Sequence, residues 1–537
     1  MMIPGRRWLL VAALLLIAIA GLRGYVTDDT WIHLRYARNL IDLGEFSFNP
    51  GEATYGATSP LWIFGLVLLL KLGVAPLVAA KVLGLASAVL MLVIASWMID
   101  RILKRMGLQP AWWSFLMAIL ILDAWFQRWT LSGMETPLAC ALLLAMLMPA
   151  CSAKPNWLAF GAAAGLAALV RPEFALFGPL ALPWLLIFHS DPGPRLKAFA
   201  AAALGWAALL GPWLWYAWTA FARLTPETAA AKSYGITFDP TSLAANLFRS
   251  LTQLLTVQVF LWVGVLAALL IWRHAVRSTR KLAAASDSEA IRRLTEREAP
   301  PQGLKAMTGI LATWTVLLLG GYALKQVWVI SRYVSPLLPV FVLVLGGWSA
   351  WMTFDREIAL GKRWYVTKKM GSIVSVLLVC GILYFASNAI LLSAKIRPHT
   401  IQLSHGVEAC FFGMGEWLRD NTPQDTVVAA HDIGPLGYAS GRRILDLAGL
   451  VSPEVLELGR EMGFERMVAS GAWLEAEVPD YVYDRTNGPP RWDGVVMHGV
   501  HFEHVASCDV EGVGLREPET MVYTLYRLTP VESTAGD

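Results

Sequence analysis

The chain has 537 residues, 56% of them hydrophobic and 16% charged, whereas a soluble domain is roughly 45–50% apolar and about 25% charged. A net charge of +4 is small for this length, which argues against a nucleic-acid partner. A mean hydropathy of +0.52 points instead to a chain that lives among membrane lipids.

The chain opens on Arg6 and Arg7, followed by an apolar run from Trp8 to Leu22. This resembles a signal peptide, with Ala18 and Ala20 as small residues for cleavage, but the topology below needs it as a retained first helix. A spanning helix takes about 20 mostly apolar residues. The runs that qualify are 8–23, 77–99, 110–125, 136–151, 157–170, 174–188, 197–220, 247–272, 306–324, 335–353 and 371–394. The expectation is an all-α polytopic domain over 1–395 with about eleven transmembrane helices and a first outer loop at 24–76. The run 60–70 lies between Pro60 and Lys71. At 1.5 Å per residue it covers about half a bilayer, so it is expected to be interfacial or re-entrant. Most of the 24 Trp fit a belt at the membrane–water interface.

Orientation follows from the basic residues. Loop 273–305 carries Arg273, Arg277, Arg280, Lys281, Arg292, Arg293, Arg297 and Lys305, and loop 354–370 carries Arg356, Lys362, Arg363, Lys368 and Lys369. Two spans separate them, so both are expected in the cytoplasm, together with Arg101, Lys104 and Arg105. The N-terminus is then cytoplasmic, and residues 396–537 lie outside a bacterial plasma membrane. That tail has strand-like runs at Thr426–Ala430, Val478–Tyr483 and Met521–Leu528, a helix-like stretch at Gly406–Arg419, and turn signals at Gly434-Pro435 and Gly488-Pro489-Pro490. A small extracytoplasmic α/β domain is expected. Cys140, Cys151 and Cys380 read as packing residues. Cys410 and Cys508 could pair in an oxidising compartment, though spacing alone does not decide it.

The first outer loop holds the chemistry. It reads Asp28-Asp29, then His33, Arg35, Arg38 and Asn39, then Phe48-Asn49-Pro50-Gly51-Glu52, then Ser59-Pro60-Leu61-Trp62. One Asp would serve as a helix N-cap. The second, and the two arginines one and two turns on, remain unexplained by capping. Carboxylates beside a membrane helix are costly without compensation. Glycosyl transfer from a lipid phosphate needs such a group to take the acceptor's proton, and positive charge to meet the departing phosphate.

The run Asp28-Asp29 followed by Arg35-Tyr36-Ala37-Arg38-Asn39, with the Phe48–Glu52 and Ser59–Trp62 blocks, resembles the GT-C glycosyltransferases. The resemblance is strongest to the mycobacterial terminal β-(1→2)-arabinofuranosyltransferase type. More distantly the chain is similar to protein O-mannosyltransferases and to the transferase that adds aminoarabinose to lipid A. The resemblance implies a polyprenyl-phosphate-linked sugar donor and an envelope glycan or glycolipid acceptor. It carries the role of base to Asp28. Asp29 would assist or bind a divalent cation; the distant relatives have Asp-Glu at this pair.

Other charged groups fall on the same expected face. Glu135 sits in Ser132-Gly133-Met134-Glu135-Thr136, where an acid at a helix N-terminus is the structural alternative. Arg171-Pro172-Glu173 breaks two apolar runs. Lys232 follows Thr225-Pro226-Glu227, and Arg332-Tyr333 precedes Pro336; Arg332 could clamp a phosphate or snorkel to headgroups. With Arg35 and Arg38, these residues are candidates for holding the donor phosphate or substrate. Asp123, Glu135, Arg171, Glu173, Lys232 and Arg332 are expected to share one polar cavity, since unpaired buried charge is expensive.

In the tail, the block from His431-Asp432 to Gly434, with Arg442-Arg443 and Asp446, also resembles the arabinofuranosyltransferase type. A strand–turn–strand core element is the plainer reading, and a hold on the acceptor the other. His498, His501 and His504 do not make a convincing metal site, because on a strand His501 would face away from the other two. No P-loop or dinucleotide glycine motif occurs, which favours a lipid donor. The resulting expectation is an inverting transferase that moves an arabinofuranose-like pentose or a hexose. The alternatives are a lipid or polysaccharide transporter or flippase, which would show repeats and midplane charges, and a non-catalytic envelope assembly protein.

Overall fold

The computed structural model describes residues 19–106, 110–232, 235–284, 300–353, 364–515 and 519–531, with scattered positions between 8 and 16. Of the expected helix 8–23, residues 9, 10, 13, 14, 17 and 18 fall outside the described residues, as do 285–299 and 354–363 of the two basic loops.

Five described helices are long and apolar enough to cross a membrane: Pro76–Lys104, Arg195–Phe221, Gln302–Leu324, Ser331–Met352 and Gly371–Asn421. Five more apolar helices have only 10–17 residues, among them Ala111–Leu122, Thr136–Cys151 and Trp157–Val170. Among the described residues, long rods are interspersed with shorter apolar helices. The breaks have local causes. Asp123 accepts a hydrogen bond from the Phe126 amide at 2.9 Å and starts a new helix at Ala124. Pro172 ends one helix and begins a 3₁₀ turn, because proline cannot continue the hydrogen-bond ladder.

Two further boundaries differ from expectation. The run 247–272 is not one straight span: Pro240–Leu255 and Val259–His274 meet at 89°. The run 371–394 does not stop before the tail. It continues as one 51-residue rod to Asn421, with π-helical turns at Leu392–Ile396 and Val407–Phe412. The 60–70 run forms a helix over Pro60–Lys71, 12 residues long. Ser331–Met352 is the central helix of the bundle, with 83% of its apolar window buried against 28–39% for the other four.

The tail is a mixed six-stranded sheet in the order β2-β1-β3-β6-β5-β4. The strands are β1 (Val427–Ala430), β2 (Arg443–Asp446), β3 (Tyr481–Thr486), β4 (Val496–Met497), β5 (Val500–Val513) and β6 (Glu519–Pro530). The three strand-like runs read from the sequence correspond to β1, β3 and β6. The strand–turn–strand reading of 431–446 is corrected. β1 and β2 run parallel, with Val427 opposite Arg443, and a parallel pair cannot be joined by a hairpin. A helix, Gly434–Ser440, makes the crossover. β3 also runs parallel to β1, so three strands end at one edge, where ligand sites gather in such sheets.

That edge is clamped to the segment 28–52 near the start of the chain. Arg35 is 2% exposed and donates to the carbonyls of Phe48 at 2.7 Å and Arg442 at 2.7 Å, and to that of Gly437. Asn49 brackets Ile444, donating to its carbonyl at 2.8 Å and accepting from its amide at 3.0 Å. Glu52 meets Arg443 at 2.5 Å. Trp31 and Phe48 share one apolar core with Ile433, Leu436, Tyr483 and Tyr523 of the tail. Cys410, in the long rod, is joined to Cys508 of β5 as a disulfide.

Candidate active site

Asp28 and Asp29 occupy the first turn of the helix Asp28–Asp42. Thr27 precedes them without capping it; its hydroxyl pairs with that of Thr30 at 2.9 Å. Thr30 in turn donates to the Ser132 carbonyl at 2.9 Å, and Trp62 donates to the Gly133 carbonyl at 3.1 Å. The loop before Glu135 is thereby fastened to the aspartate turn. Gly133 has φ +81°, and a Cβ there would strike Thr30, so only glycine suits both demands.

Successive residues on a helix point about 100° apart, so the two carboxylates enter different surroundings. Asp29 faces the membrane portion. Its Oδ2 accepts from Arg332 Nη2 at 2.7 Å and lies 3.6 Å from Lys232 Nζ. Burial opposes its ionisation, but Lys232 and Arg332 outweigh burial and hold the carboxyl well below the ordinary range. Burial likewise works against the Lys232 ammonium, but Asp29, with Tyr333 and Glu135, outweighs it, so Lys232 titrates above its usual value.

Arg332 heads the central helix, and its neighbours complete the pocket. Arg171 spans Glu135 at 3.3 Å and Glu173 at 2.7 Å and donates to the Arg332 carbonyl at 3.3 Å. Tyr322 donates to Glu173 at 3.0 Å. The Tyr333 ring lies 5.2 Å from the Arg171 guanidinium and 5.5 Å from that of Arg332. Asp29, Glu135, Arg171, Glu173, Lys232, Arg332 and Tyr333 are thus linked in one polar cluster.

Asp28 faces the tail. Its Oδ1 accepts the Gly434 amide at 3.0 Å. A Cβ on Gly434 would collide with the Asp28 carbonyl oxygen, so the crossover helix must begin with glycine. Burial raises the Asp28 pKa well above the ordinary aspartate value. Asp432, Asp29 and Asp446 add to that rise, and the Gly434 amide partly offsets it. Asp432 is held by Arg485 at 3.1 Å and by the Tyr523 hydroxyl at 2.7 Å. Asp446 is fully buried among the amides of Ala448, Leu450 and Val451, and burial pushes its pKa up to about 7.

Three expected members lie elsewhere. Arg35 is satisfied by backbone carbonyls of the clamp, and Arg38 donates to the Tyr438 carbonyl at 3.1 Å while stacking on that ring. Both dock the tail and do not meet the cluster. Asp123 is a buried N-cap that also accepts from Tyr384 at 3.1 Å. The sequence reading also left room for a divalent cation at Asp28 and Asp29. The residues do not fit one: Asp29 is already matched by two cations, and among the described residues no three His, Cys, Asp or Glu side chains cluster suitably. The same holds for His498, His501 and His504. Sequence reasoning passed over Tyr322, named His33 without giving it a role, and gave Asp432 and Gly434 only a core element or a hold on the acceptor. His33 carried a local signal, being four residues, about one helical turn, after Asp29.

Residues 396–526 match a family model described as a domain of unknown function, DUF8728. No curated protein matches the chain. Among solved structures, ArnT from Cupriavidus metallidurans bound to undecaprenyl phosphate is similar over 100% of both chains, with TM-score 0.52 and 11% identity. The apo form of the same protein matches over 97% of this chain and 98% of its own, with TM-score 0.55 and 11% identity. At that identity the likeness speaks of fold. The chain is a multi-pass membrane protein that shares the fold of ArnT.

Proposed function

We propose that this chain is a membrane glycosyltransferase that draws on a polyprenyl-phosphate-linked sugar and glycosylates a cell-envelope glycan or glycolipid. The observation that carries this reading is the opposed setting of two adjacent carboxylates. Asp28 is kept basic by burial and like charge, and Asp29 is matched to Arg332 and Lys232. The undecaprenyl phosphate bound by ArnT supports a lipid phosphate as ligand on this fold.

In this reading Asp28 takes the proton of the acceptor hydroxyl. The resulting oxygen attacks the anomeric carbon from the face opposite the phosphate, and the bond from that carbon to the phosphate oxygen breaks. The configuration inverts, and the charge on the departing polyprenyl phosphate is met by Arg332 and Lys232. Asp29 holds those two cations in register before the lipid arrives. The terminal β-(1→2)-arabinofuranosyltransferase type suggests a pentofuranose as the sugar moved. The tail domain, on the outer face, closes the acceptor side over Asp28.

The test is to incubate the purified protein with a panel of polyprenyl-phosphate sugars and candidate envelope acceptors, and to read products by mass spectrometry. The expected result is a mass increment of one sugar on one acceptor, with release of polyprenyl phosphate. Consumption of no donor in the panel would remove the proposal.

A further inference from the structure

Three polar atoms in or beside the Asp29 cluster are buried and have no hydrogen-bond partner: His33 Nδ1, Glu135 Oε2 and Arg332 Nε. Their residues are 3%, 2% and 6% exposed. A buried polar atom without a partner costs about 1–3 kcal/mol, so three in one place call for an explanation. Each residue is otherwise fixed. Glu135 is held through Oε1 by Arg171, and Arg332 through Nη2 by Asp29. His33 is buried on the helix that carries Asp29, one turn further on. Asp29, Glu135, Arg332 and Lys232 are the charges that act on its ring, and burial keeps the imidazole neutral by lowering its pKa.

The free atoms are chemically complementary to hydroxyl groups. Glu135 Oε2 accepts, Arg332 Nε–H donates, and a neutral imidazole nitrogen does either according to tautomer. A hydroxyl can satisfy an acceptor and a donor at once. A phosphate offers oxygens to Arg332 and Lys232 but is repelled by the Glu135 carboxylate. Resting on the transferase reading above, we propose that His33, Glu135 and Arg332 Nε form the subsite for the hydroxyl groups of the donor's sugar, and that His33 is a specificity-determining binding residue. The phosphate then lies toward the Lys232 side of Arg332, and the sugar toward His33, with its anomeric carbon between them. Sites built to hydrogen-bond a hydroxyl discriminate strongly against ligands that lack it.

The full-length protein in nanodiscs provides the test, with three probes: undecaprenyl phosphate, undecaprenyl-phosphate arabinofuranose and undecaprenyl-phosphate mannose. Wild type should bind at least one sugar-bearing lipid more tightly than the bare lipid. His33→Ala and Glu135→Gln should each weaken that lipid by about tenfold and leave bare-lipid affinity within about twofold. His33→Asn, which can place an amide near the Nδ1 position, should recover part of the loss. An equal loss for both kinds of lipid, or no loss for either, would overturn the subsite. Tight binding of bare lipid by wild type with no gain from either sugar would overturn it while leaving the lipid-phosphate reading intact. Failure of wild type to bind any of the three would count against the transferase reading itself. Thermal unfolding of the variants, compared with wild type, separates misfolding from lost contacts, and Glu135→Gln carries the test if His33→Ala is unstable.

Discussion

Asp28 and Asp29 are neighbours in the chain, yet one belongs to the tail side of the molecule and the other to the membrane side. On the membrane side, Arg332 and Lys232 converge on a single carboxylate oxygen, and Arg171 joins Glu135 and Glu173 behind them. Charges there are matched. On the tail side, Asp28 receives one backbone amide, and the charges that bear on it are acidic. The difference shows how one helical turn divides two tasks. A matched carboxylate stays ionised and organises cations; a carboxylate denied a cation holds its proton more firmly and is the better base.

The largest way to break this comparison is Asp28→Asn. Transfer should fall by about 10²–10⁴-fold, while binding of undecaprenyl phosphate, measured separately, stays near wild type. Arg332→Ala attacks the other side and should cost about 10²–10³-fold in turnover, this time with weaker lipid binding. If the two variants lost the same functions, the two sides would not be distinct.

Arg35→Ala tests whether the tail side depends on the clamp. It removes a donor from three carbonyls, of which Phe48 keeps Asn39 and Gly437 keeps the Gly441 amide while that of Arg442 loses its Arg35 bond, and should destabilise docking by about 1–3 kcal/mol. Limited proteolysis should then release the tail more readily, with the membrane helices unaffected. Asp432→Asn is gentler and sharpens the comparison. Asp28 must be deprotonated to act, so its raised pKa places the acid limb of the rate profile above the ordinary carboxylate range. Removing the Asp432 charge lowers the Asp28 pKa and should move that limb to lower pH, with Asp29 and Asp446 still acting on it. A limb that does not move would show that Asp432 is electrostatically idle. The smallest effect on activity is expected from Cys508→Ser. The disulfide closes 98 residues and its loss should cost the tail about 2–4 kcal/mol, seen as a lower unfolding temperature with activity at low temperature largely retained.

Much of the cluster was legible in the sequence because charged residues between apolar runs have few places to go. Glu135, Arg171, Glu173, Lys232 and Arg332 each interrupt hydrophobic stretches, and the cost of burying them singly predicts their meeting. Arg35 and Arg38 misled for the same reason: charge near a catalytic pair suggests a ligand, whereas Arg35 is satisfied by carbonyls from positions about 400 residues away. The meeting of Gly434 and Asp432 with Asp28 was not foreseen, because sequence gives no signal for a contact between positions 406 residues apart. The helical rod through 395–396 escaped notice because π turns at Leu392–Ile396 and Val407–Phe412 keep the helix going where the composition turns polar. The turn residues Gly434-Pro435 suggested a hairpin; in the fold, Pro435 starts a helix, as proline does at a first turn.

Difference infrared spectroscopy of the full-length protein, titrated with pH and compared with Asp28→Asn and Asp29→Asn, tests the division most directly. Protonated-carboxyl absorbance should persist above the ordinary aspartate range, with one component from Asp446 and a second that is lost in Asp28→Asn, while Asp29→Asn removes only an ionised-carboxylate signal. A protonated band that vanishes in Asp29→Asn and survives in Asp28→Asn would contradict the assignment of base and anchor.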